Sequence, residues 1–454
     1  MSESYDLIAI GGGSGGVAAA RRAAAHGARV AIIEQANLGG TCVHRGCIPK
    51  KLLMYASQFR ASFDLAAAYG WSAGQPEFSM AHWQDAKTRE LERLETVYEN
   101  MLRQADVTVI RGTATIMGAG EVRVGDRTMA CKNLLIATGG RPSTAPIPGL
   151  DTALTSDDIL QLRTVPERLA VVGGGYIGME FASMFARLGS KVSVFFRANA
   201  PLSGFDEELR ERLRQAMEHA GIAVFPQTLP RSLARDGSGY RMVLQDGQEM
   251  RFDAVLNATG RVPNTAGLGL DAIGLELTAA GAIPVDSYSK TRIPGVHAIG
   301  DVTNRVNLTP VAIAEGRAFA DTVFGGQDTP FFHDQVATAV FTDPPIGTIG
   351  LGETQANARG PTTVYETQFK PMQTAFAGRD NRSYMKLVTD SETAKVIGIH
   401  MIGPDAPEII QSLAVAMRAG ATKREFDRTI AVHPTAAEEF MLMREPVRTY
   451  AAAT

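Results

Sequence analysis

Two of the chain's three cysteines, Cys42 and Cys47, stand in one segment: Gly39-Gly40-Thr41-Cys42-Val43-His44-Arg45-Gly46-Cys47-Ile48-Pro49-Lys50-Lys51. Four residues separate them, and a turn at Gly46 would let the pair meet. A nearby helix N-terminus and Lys50 would lower a thiolate pKa and favour exchange chemistry. Zinc is the rival reading. It needs four ligands, and Cys42, His44 and Cys47 leave no matching second pair, so no metal is expected. Two free buried thiols would be a blander reading, against which stands the clustering of both in a glycine-rich segment. Cys131 has no nearby partner and reads as core. Three cysteines are too few for a secreted disulfide scaffold, which makes a disulfide here catalytic rather than structural.

Something must carry electrons to such a pair, and two segments have the pattern of dinucleotide-binding units. Leu7 to Ile10 is an apolar strand, and Gly11-Gly12-Gly13-Ser14-Gly15-Gly16 follows with glycines at the positions of G-x-G-x-x-G. An alanine-rich helix is predicted over Val17 to His26, and a second strand over Arg29 to Ile33 leads into Glu34. In such a loop the first glycine turns the chain, the second admits a pyrophosphate, and the third packs helix on strand. Glu34 sits where a carboxylate would accept ribose hydroxyls. The pattern returns with strand Ala170 to Val172, then Gly173, Gly175 and Gly178, helix Ile177 to Leu188 and strand Lys191 to Phe196. Phe196 follows Gly173 at the same distance as Glu34 follows Gly11, so the second copy lacks the carboxylate and has Arg197 next. A guanidinium would hold a 2′-phosphate that an acid would repel, so copy one reads as FAD or NAD and copy two as NADPH. Against this, Gly178 suits NADH equally, and Arg197 also reads as a solvated strand-end arginine. Segments 134–142 and 255–261 each run from an apolar strand into Ala-Thr-Gly, and His297-Ala298-Ile299-Gly300-Asp301 runs into Gly-Asp. Asp301, at a strand's carboxyl end, could reach a cofactor or be an ordinary turn aspartate.

The composition agrees with this frame. The 454 residues are 45% hydrophobic and 20% charged, with net charge −3. That predicts an ordinary globular chain of several domains with no field to gather nucleic acid or anionic membrane. The absence of a ~20-residue apolar run or a basic leader predicts a soluble cytoplasmic protein.

Residues 39–51 resemble the active-site disulfide of the flavin-dependent pyridine nucleotide-disulfide reductases, and the Pro-Lys-Lys ending is similar to that of glutathione reductases. Further matches are Gly175-Tyr176-Ile177 with Glu180, Gly300-Asp301, Leu308-Thr309-Pro310 with Gly316-Arg317, and His433-Pro434-Thr435-Ala436-Ala437-Glu438-Glu439. The resemblance implies FAD and NADPH as cofactors. It places Cys47 against the flavin as a charge-transfer thiolate and makes Cys42 the attacker of oxidised glutathione. Lys50 and Glu180 would pair near the flavin, and Tyr176 would cover the nicotinamide pocket. His433, oriented by Glu438, would protonate the departing thiolate. Thr435 to Glu438 is also a T-x-x-E capping box, which alone would explain the glutamate. Cofactor contacts are implied for Gly11, Gly13, Ser14, Gly15, Gly16, Glu34, Thr41, Thr138, Asp301 and Thr309. On the NADPH side they are Gly173, Gly175, Ile177, Gly178, Arg197 and Gly260. Ser14, Arg21, Tyr98 and Arg317 would face glutathione, although Arg21 beside Arg22 also reads as a solvated basic face. A homodimer with a shared active site follows from the same resemblance.

Two departures stand out. Ser203 replaces a second family arginine for the 2′-phosphate, and the position of a second glutathione-facing tyrosine falls near Glu90. Lipoamide dehydrogenase is the nearest rival; the Pro49-Lys50-Lys51 run and Phe196 disfavour it. Mercuric and large thioredoxin reductases need extra C-terminal cysteines. A flavin monooxygenase or a non-catalytic dinucleotide-binding regulator has no use for Cys42 and Cys47. The expected fold is α/β: an FAD domain (1–145), an NADPH domain (146–265), a segment completing the FAD region (266–331) and an α+β dimerisation domain (332–454). The last domain should hold an antiparallel sheet with a helix near 406–419, and residues 444–454 should fray.

Overall fold

The computed structural model describes residues 3–72, 74 and 76–451. Met1, Ser2 and the final residues 452–454 of the predicted frayed tail lie outside the described residues. The first sheet has a parallel centre in the order Thr108–Arg111, Val30–Glu34, Ser4–Ile10, Arg127–Ile136, with Val296–Ala298 added beside the last. Leu7, Ile8, Ala9, Ile32 and Leu135 are fully buried, as strands covered on both faces require. Strand Val296–Ala298 lies far along the chain and still closes this sheet, so the first unit is interrupted rather than consecutive. The interruption is a second, four-stranded parallel sheet in the order Ala223–Phe225, Lys191–Phe195, Arg168–Val172, Ala254–Asn257. The chain leaves and returns through two short strands, Gly140–Pro142 and Arg261–Pro263, which pair antiparallel.

Both glycine loops fold alike. Gly11 and Gly173 have φ of +110° and +126°, and a Cβ there would come within 2.3 Å of the Ala137 carbonyl oxygen and 2.2 Å of the Ala258 carbonyl oxygen. Each Ala-Thr-Gly segment therefore closes against the first glycine of its own loop. Helices Ser14–Ala25 and Tyr176–Arg187 begin directly at these turns, a little before the sequence-predicted starts. The register of the two copies is also physical. The Gly12 N–H donates to Glu34 at 2.7 Å, whereas Gly174 rests against the Phe196 ring, its Cβ position 2.9 Å away. Phe196 thus fills the carboxylate's place by contact, buried to 2% exposure.

The third layer is a six-stranded antiparallel sheet in the order 338–340, 346–350, 396–402, 383–390, 362–369, 448–450. Helix Ala406–Arg418 covers it, close to the predicted span. The tail departs from expectation. Arg448–Tyr450 forms the edge strand beside Thr362–Phe369, because its polar side chains have half-buried carboxylate partners that a solvated tail lacks. Arg448 bonds Glu353 and Glu366, and the Tyr450 hydroxyl donates to Glu353 at 2.7 Å. Glu353 meets Lys386 at 2.8 Å, and Lys386 bonds both oxygens of Asp206 at 2.8 and 3.0 Å. Lys386 and Asp206 are each 2% exposed.

A buried pair of this kind is costly to break from one side. Lys386→Met is expected to lower unfolding free energy by roughly 3–5 kcal/mol, because Asp206 stays buried without its cation. Denaturant unfolding checks this, and a loss below about 1 kcal/mol would show that Asp206 finds another partner. The network is also acid-labile. Burial alone would raise the Glu353 carboxyl; bonds from Arg448, Lys386 and Tyr450 overcome this and bring it from 4.5 to about 2. A carboxylate depressed on folding contributes stability fully present above its unfolded pKa and lost as pH falls through the folded one. The apparent unfolding midpoint should therefore drop between pH 4.5 and about 2, and less steeply in Glu353→Gln.

Candidate active site

The cysteines straddle the break between a short helix, Gly40–His44, and the long helix Cys47–Ala66. Gly46 between them has φ −147°, so the turn does not need a left-handed residue. A Cβ would approach the Thr41 carbonyl oxygen to 2.9 Å, and that crowding is what glycine relieves. His44, the third ligand of the zinc reading, instead has Nε2 2.9 Å from the Leu38 carbonyl oxygen. Cys131 is buried, with its thiol pushed up to about 11 by burial, as a core residue should be.

Cys42 and Cys47 are both thiols and share a hydrogen bond. The sharing is lopsided. The bond from Cys42 does most to bring Cys47 down to about 6; burial opposes it, and Thr309 and the Lys50 charge assist. Cys47 also opens its helix, where N–H dipoles favour an anion. The same bond, with burial, pushes Cys42 well above an ordinary thiol. Near neutral pH Cys47 holds the negative charge and Cys42 the proton. Thr309, expected on the cofactor side, has its hydroxyl 3.5 Å from the Cys47 sulfur.

Behind Cys47, Lys50 Nζ meets Glu180 at 2.8 Å, and Glu180 is 2% exposed. The other bond to Glu180 Oε1 comes from the Phe341 N–H, also at 2.8 Å. Lys50 and Lys51 lie over the Phe341 ring at 4.3 and 3.8 Å. Sequence reasoning missed Phe341, since a backbone donor and a ring from the third domain carry no motif. Tyr176, one turn before Glu180, has its hydroxyl pushed up to about 12 by burial first and Glu180 second, with Arg261 and Asp301 also near. The residue as a whole remains 41% exposed. Asp301 is raised chiefly by burial and faces Arg261. Gly300 N–H donates to Glu315, which also bonds Arg305 and His333. This cluster, unforeseen from the sequence, holds the Gly-Asp turn at its strand end.

On the Cys42 side, Ser14 Oγ lies against Cys42 and the Tyr98 hydroxyl, though strict hydrogen-bond geometry is met with neither. Arg21 and Arg317 are both exposed, on helices Ser14–Ala25 and Thr309–Val323. These helices pack closely because Gly316 sits against the Gly15 carbonyl. Arg22, by contrast, is tied to Asp321. Arg197 is exposed at the end of its strand, Ile177 is half-buried one residue into its helix, and Gly260 adopts φ +147°. The Thr138 hydroxyl donates to the Asn264 carbonyl at 2.8 Å.

His433 Nδ1 meets Glu438 at 2.9 Å, and the Thr435 N–H donates to the other Glu438 oxygen at 3.3 Å. Glu438 therefore caps the turn and orients the histidine, joining the two sequence readings. His433 is 79% exposed. Among the described residues, no hydrogen bond or ion pair links His433 or Glu438 to the cysteines.

Residues 5–316 match the family described as pyridine nucleotide-disulphide oxidoreductase, and residues 336–444 match its dimerisation domain. The chain belongs to the pyridine nucleotide-disulphide oxidoreductase family. It is 47% identical over 441 residues to a glutathione reductase of Burkholderia cepacia, covering 97% of this chain and 98% of that one. Identity is 44% to a glutathione reductase of a Nostoc species, with 98% and 100% covered. It is 43% to the chloroplastic/mitochondrial glutathione reductase of Pisum sativum, with 98% and 83% covered. The middle glycines of both loops fit the dinucleotides expected of this family. A Cβ on Gly13 would meet nothing nearer than Gly40 Cα at 4.0 Å, and one on Gly175 nothing within 4 Å, so each opens a cradle that any side chain would fill. No helix among the described residues is long and apolar enough to cross a membrane.

Proposed function

We propose that this protein is a glutathione-disulfide reductase that uses NADPH and FAD and works as a cytoplasmic homodimer. The reading is carried by the asymmetric thiol pair, with a lowered Cys47 and a raised Cys42, beside Ser14 and Tyr98. FAD, when bound, accepts a hydride from NADPH and supplies two electrons to the disulfide. Gly11, Gly13, Gly15, Gly16, Glu34, Thr41, Thr138 and Asp301 would hold it. Gly173, Gly175, Ile177, Gly178, Arg197 and Gly260 would hold NADPH, with Tyr176 over the nicotinamide end.

The chain's own chemistry is thiol exchange. Cys42, once deprotonated, attacks one sulfur of oxidised glutathione; a Cys42–glutathione bond forms, the substrate disulfide breaks, and the first glutathione leaves with a proton from His433. Cys47 then attacks Cys42, releasing the second glutathione and restoring the Cys42–Cys47 disulfide. Arg21 and Arg317 suit the substrate's carboxylates. Exposed large apolar side chains such as Phe59, Met372, Phe376, Ile430 and Val432 support association with a second copy, as does the matched dimerisation domain. The His433–Glu438 pair, unlinked to its own cysteines, would then serve the second copy's pair. Scarce cysteines and a thiol-based cycle fit a reducing compartment.

Turnover with oxidised glutathione, comparing NADPH with NADH and oxidised lipoamide as competing substrate, tests the reading. NADPH-linked glutathione reduction is expected; turnover only with NADH and lipoamide would overturn substrate and coenzyme together. Arg197→Ala should raise KM for NADPH by roughly 10- to 100-fold and leave KM for NADH nearly unchanged, since one charge-assisted phosphate contact is lost. Equal effects on both coenzymes would remove Arg197 from phosphate recognition.

A further inference from the structure

We propose that the C-terminal strand Arg448–Tyr450 positions the nucleotide-binding loop 197–205 and so sets this protein's selectivity for a 2′-phosphorylated adenosine. The strand lies beyond the matched dimerisation domain, which ends at residue 444. The inference rests on the NADPH reading above. Arg448 bonds Glu353 at 2.6 and 2.9 Å and Glu366 at 2.8 and 3.1 Å. Glu353 reaches Lys386, which bonds Asp206. Asp206 also accepts the Glu353 N–H at 3.1 Å, and with its other oxygen it caps helix Glu207–His219 through the Glu208 N–H at 3.1 Å. From the first turn of that helix, Arg210 reaches back to the carbonyls of Pro201 at 2.7 Å and Ala200 at 3.0 Å. These carbonyls belong to the loop that begins at Arg197.

One polar chain thus runs from the edge strand to the loop that begins at Arg197, the guanidinium read above as the phosphate contact. Without Arg448, two carboxylates near Lys386 lose their second cation and compete with Asp206 for the first. The cap and the loop then loosen. The Gly173–Gly175 turn, which would hold the pyrophosphate, meets the loop through the Leu202 N–H, which donates to the Gly174 carbonyl at 2.8 Å. It is also held by its own strand and helix, through Gly173 N–H to the Phe195 carbonyl at 2.8 Å and Met179 N–H to the Gly175 carbonyl at 3.1 Å, so loosening should weaken phosphate recognition more than binding of the rest of the nucleotide. Arg448 acts here as a positioning residue.

The test is equilibrium binding of two probes, adenosine 2′,5′-bisphosphate and adenosine 5′-monophosphate, to the full-length holoenzyme and to Arg448→Ala, Arg448→Lys and a truncation after Pro446, with melting temperature followed for each. Arg448→Ala and the truncation should weaken the bisphosphate about 5- to 10-fold and leave the monophosphate within about twofold, as expected for a loop that must be ordered on binding. Arg448→Lys should recover part of the loss, and kcat at saturating NADPH should not change. Equal weakening of both probes, or unchanged binding with only a lower melting temperature, would overturn the inference and leave the NADPH reading standing. If Arg448→Ala does not fold, Arg448→Lys and Glu366→Gln decide by the same ratio. A wild-type protein that does not prefer the bisphosphate would overturn the NADPH reading, and this inference with it.

Discussion

Replacing Cys42 with serine is expected to lower oxidised-glutathione turnover by at least about a thousandfold, because a hydroxyl cannot replace the sulfur that forms the mixed disulfide. NADPH consumption in the presence of oxidised glutathione measures it, and a variant retaining a tenth of wild-type turnover would remove Cys42 from the attacking role. A second observable separates Cys42 as nucleophile from Cys42 as hydrogen-bond donor. In the reduced protein, Cys47 alkylation should follow its thiolate, rising with pH through a midpoint of about 6. The bond from Cys42 is the largest cause of that depression, so Cys42→Ala should move the midpoint upward, whereas Cys42→Ser keeps a donor and should move it less. The sign is fixed by the charge: the lost donor stabilised the thiolate, so more alkaline solution is needed to form it. An unmoved midpoint in Cys42→Ala would assign the depression to Thr309, Lys50 and the helix start instead.

His433→Gln should cost about 10²- to 10⁴-fold in kcat for glutathione reduction, the usual worth of one positioned acid–base group. Reduction of the Cys42–Cys47 pair by NADPH in a single turnover should be unaffected. The raised Cys42 thiol makes the requirement two-sided, since it needs a base before attack and the leaving glutathione needs an acid after it. Glu438 can be divided in the same way. Glu438→Gln preserves a capping side chain and weakens the bond that orients His433, so it should lower kcat with little change in stability; Glu438→Ala should lower both. Where the histidine acts is decided by mixing. Cys42→Ser and His433→Gln protomers, each inactive alone, should regain about a quarter of wild-type activity when randomly reassorted, because half the dimers are hybrids with one intact shared site. No recovery, with hybrids shown to form, would mean that His433 serves its own chain.

Much of this was legible because the relevant physics is local. A glycine that must turn at positive φ, a strand ending at a carboxylate or at Phe196, and a cysteine opening a helix are each settled within a few residues of chain, and the two nucleotide units, the thiol pair and the T-x-x-E turn could be read directly. The helix starts differ by only a few residues, at Ser14 and Tyr176, since backbone capping by a glycine leaves no side-chain signal. Less legible were contacts between distant segments. Phe341 supplies both an N–H to Glu180 and a ring to Lys50, yet nothing around it differs from an ordinary apolar strand end. The tail read as frayed because chain ends usually lack partners; bonds from Arg448 and Tyr450 to the half-buried Glu353, and from Arg448 to the half-buried Glu366, turn these residues into an edge strand.

By itself, then, the sequence determined which groups could do redox chemistry and on what kind of scaffold, since spacing along the backbone governs turns, strand periods and helix ends. The family resemblance already pointed to Cys47 as the thiolate, and what only the tertiary structure supplied is the set of contacts that puts the charge there. Those contacts are the bond from Cys42, the Thr309 hydroxyl and the Lys50 charge, which together outweigh the opposing effect of burial, and their strength depends on distance through space and not along the chain.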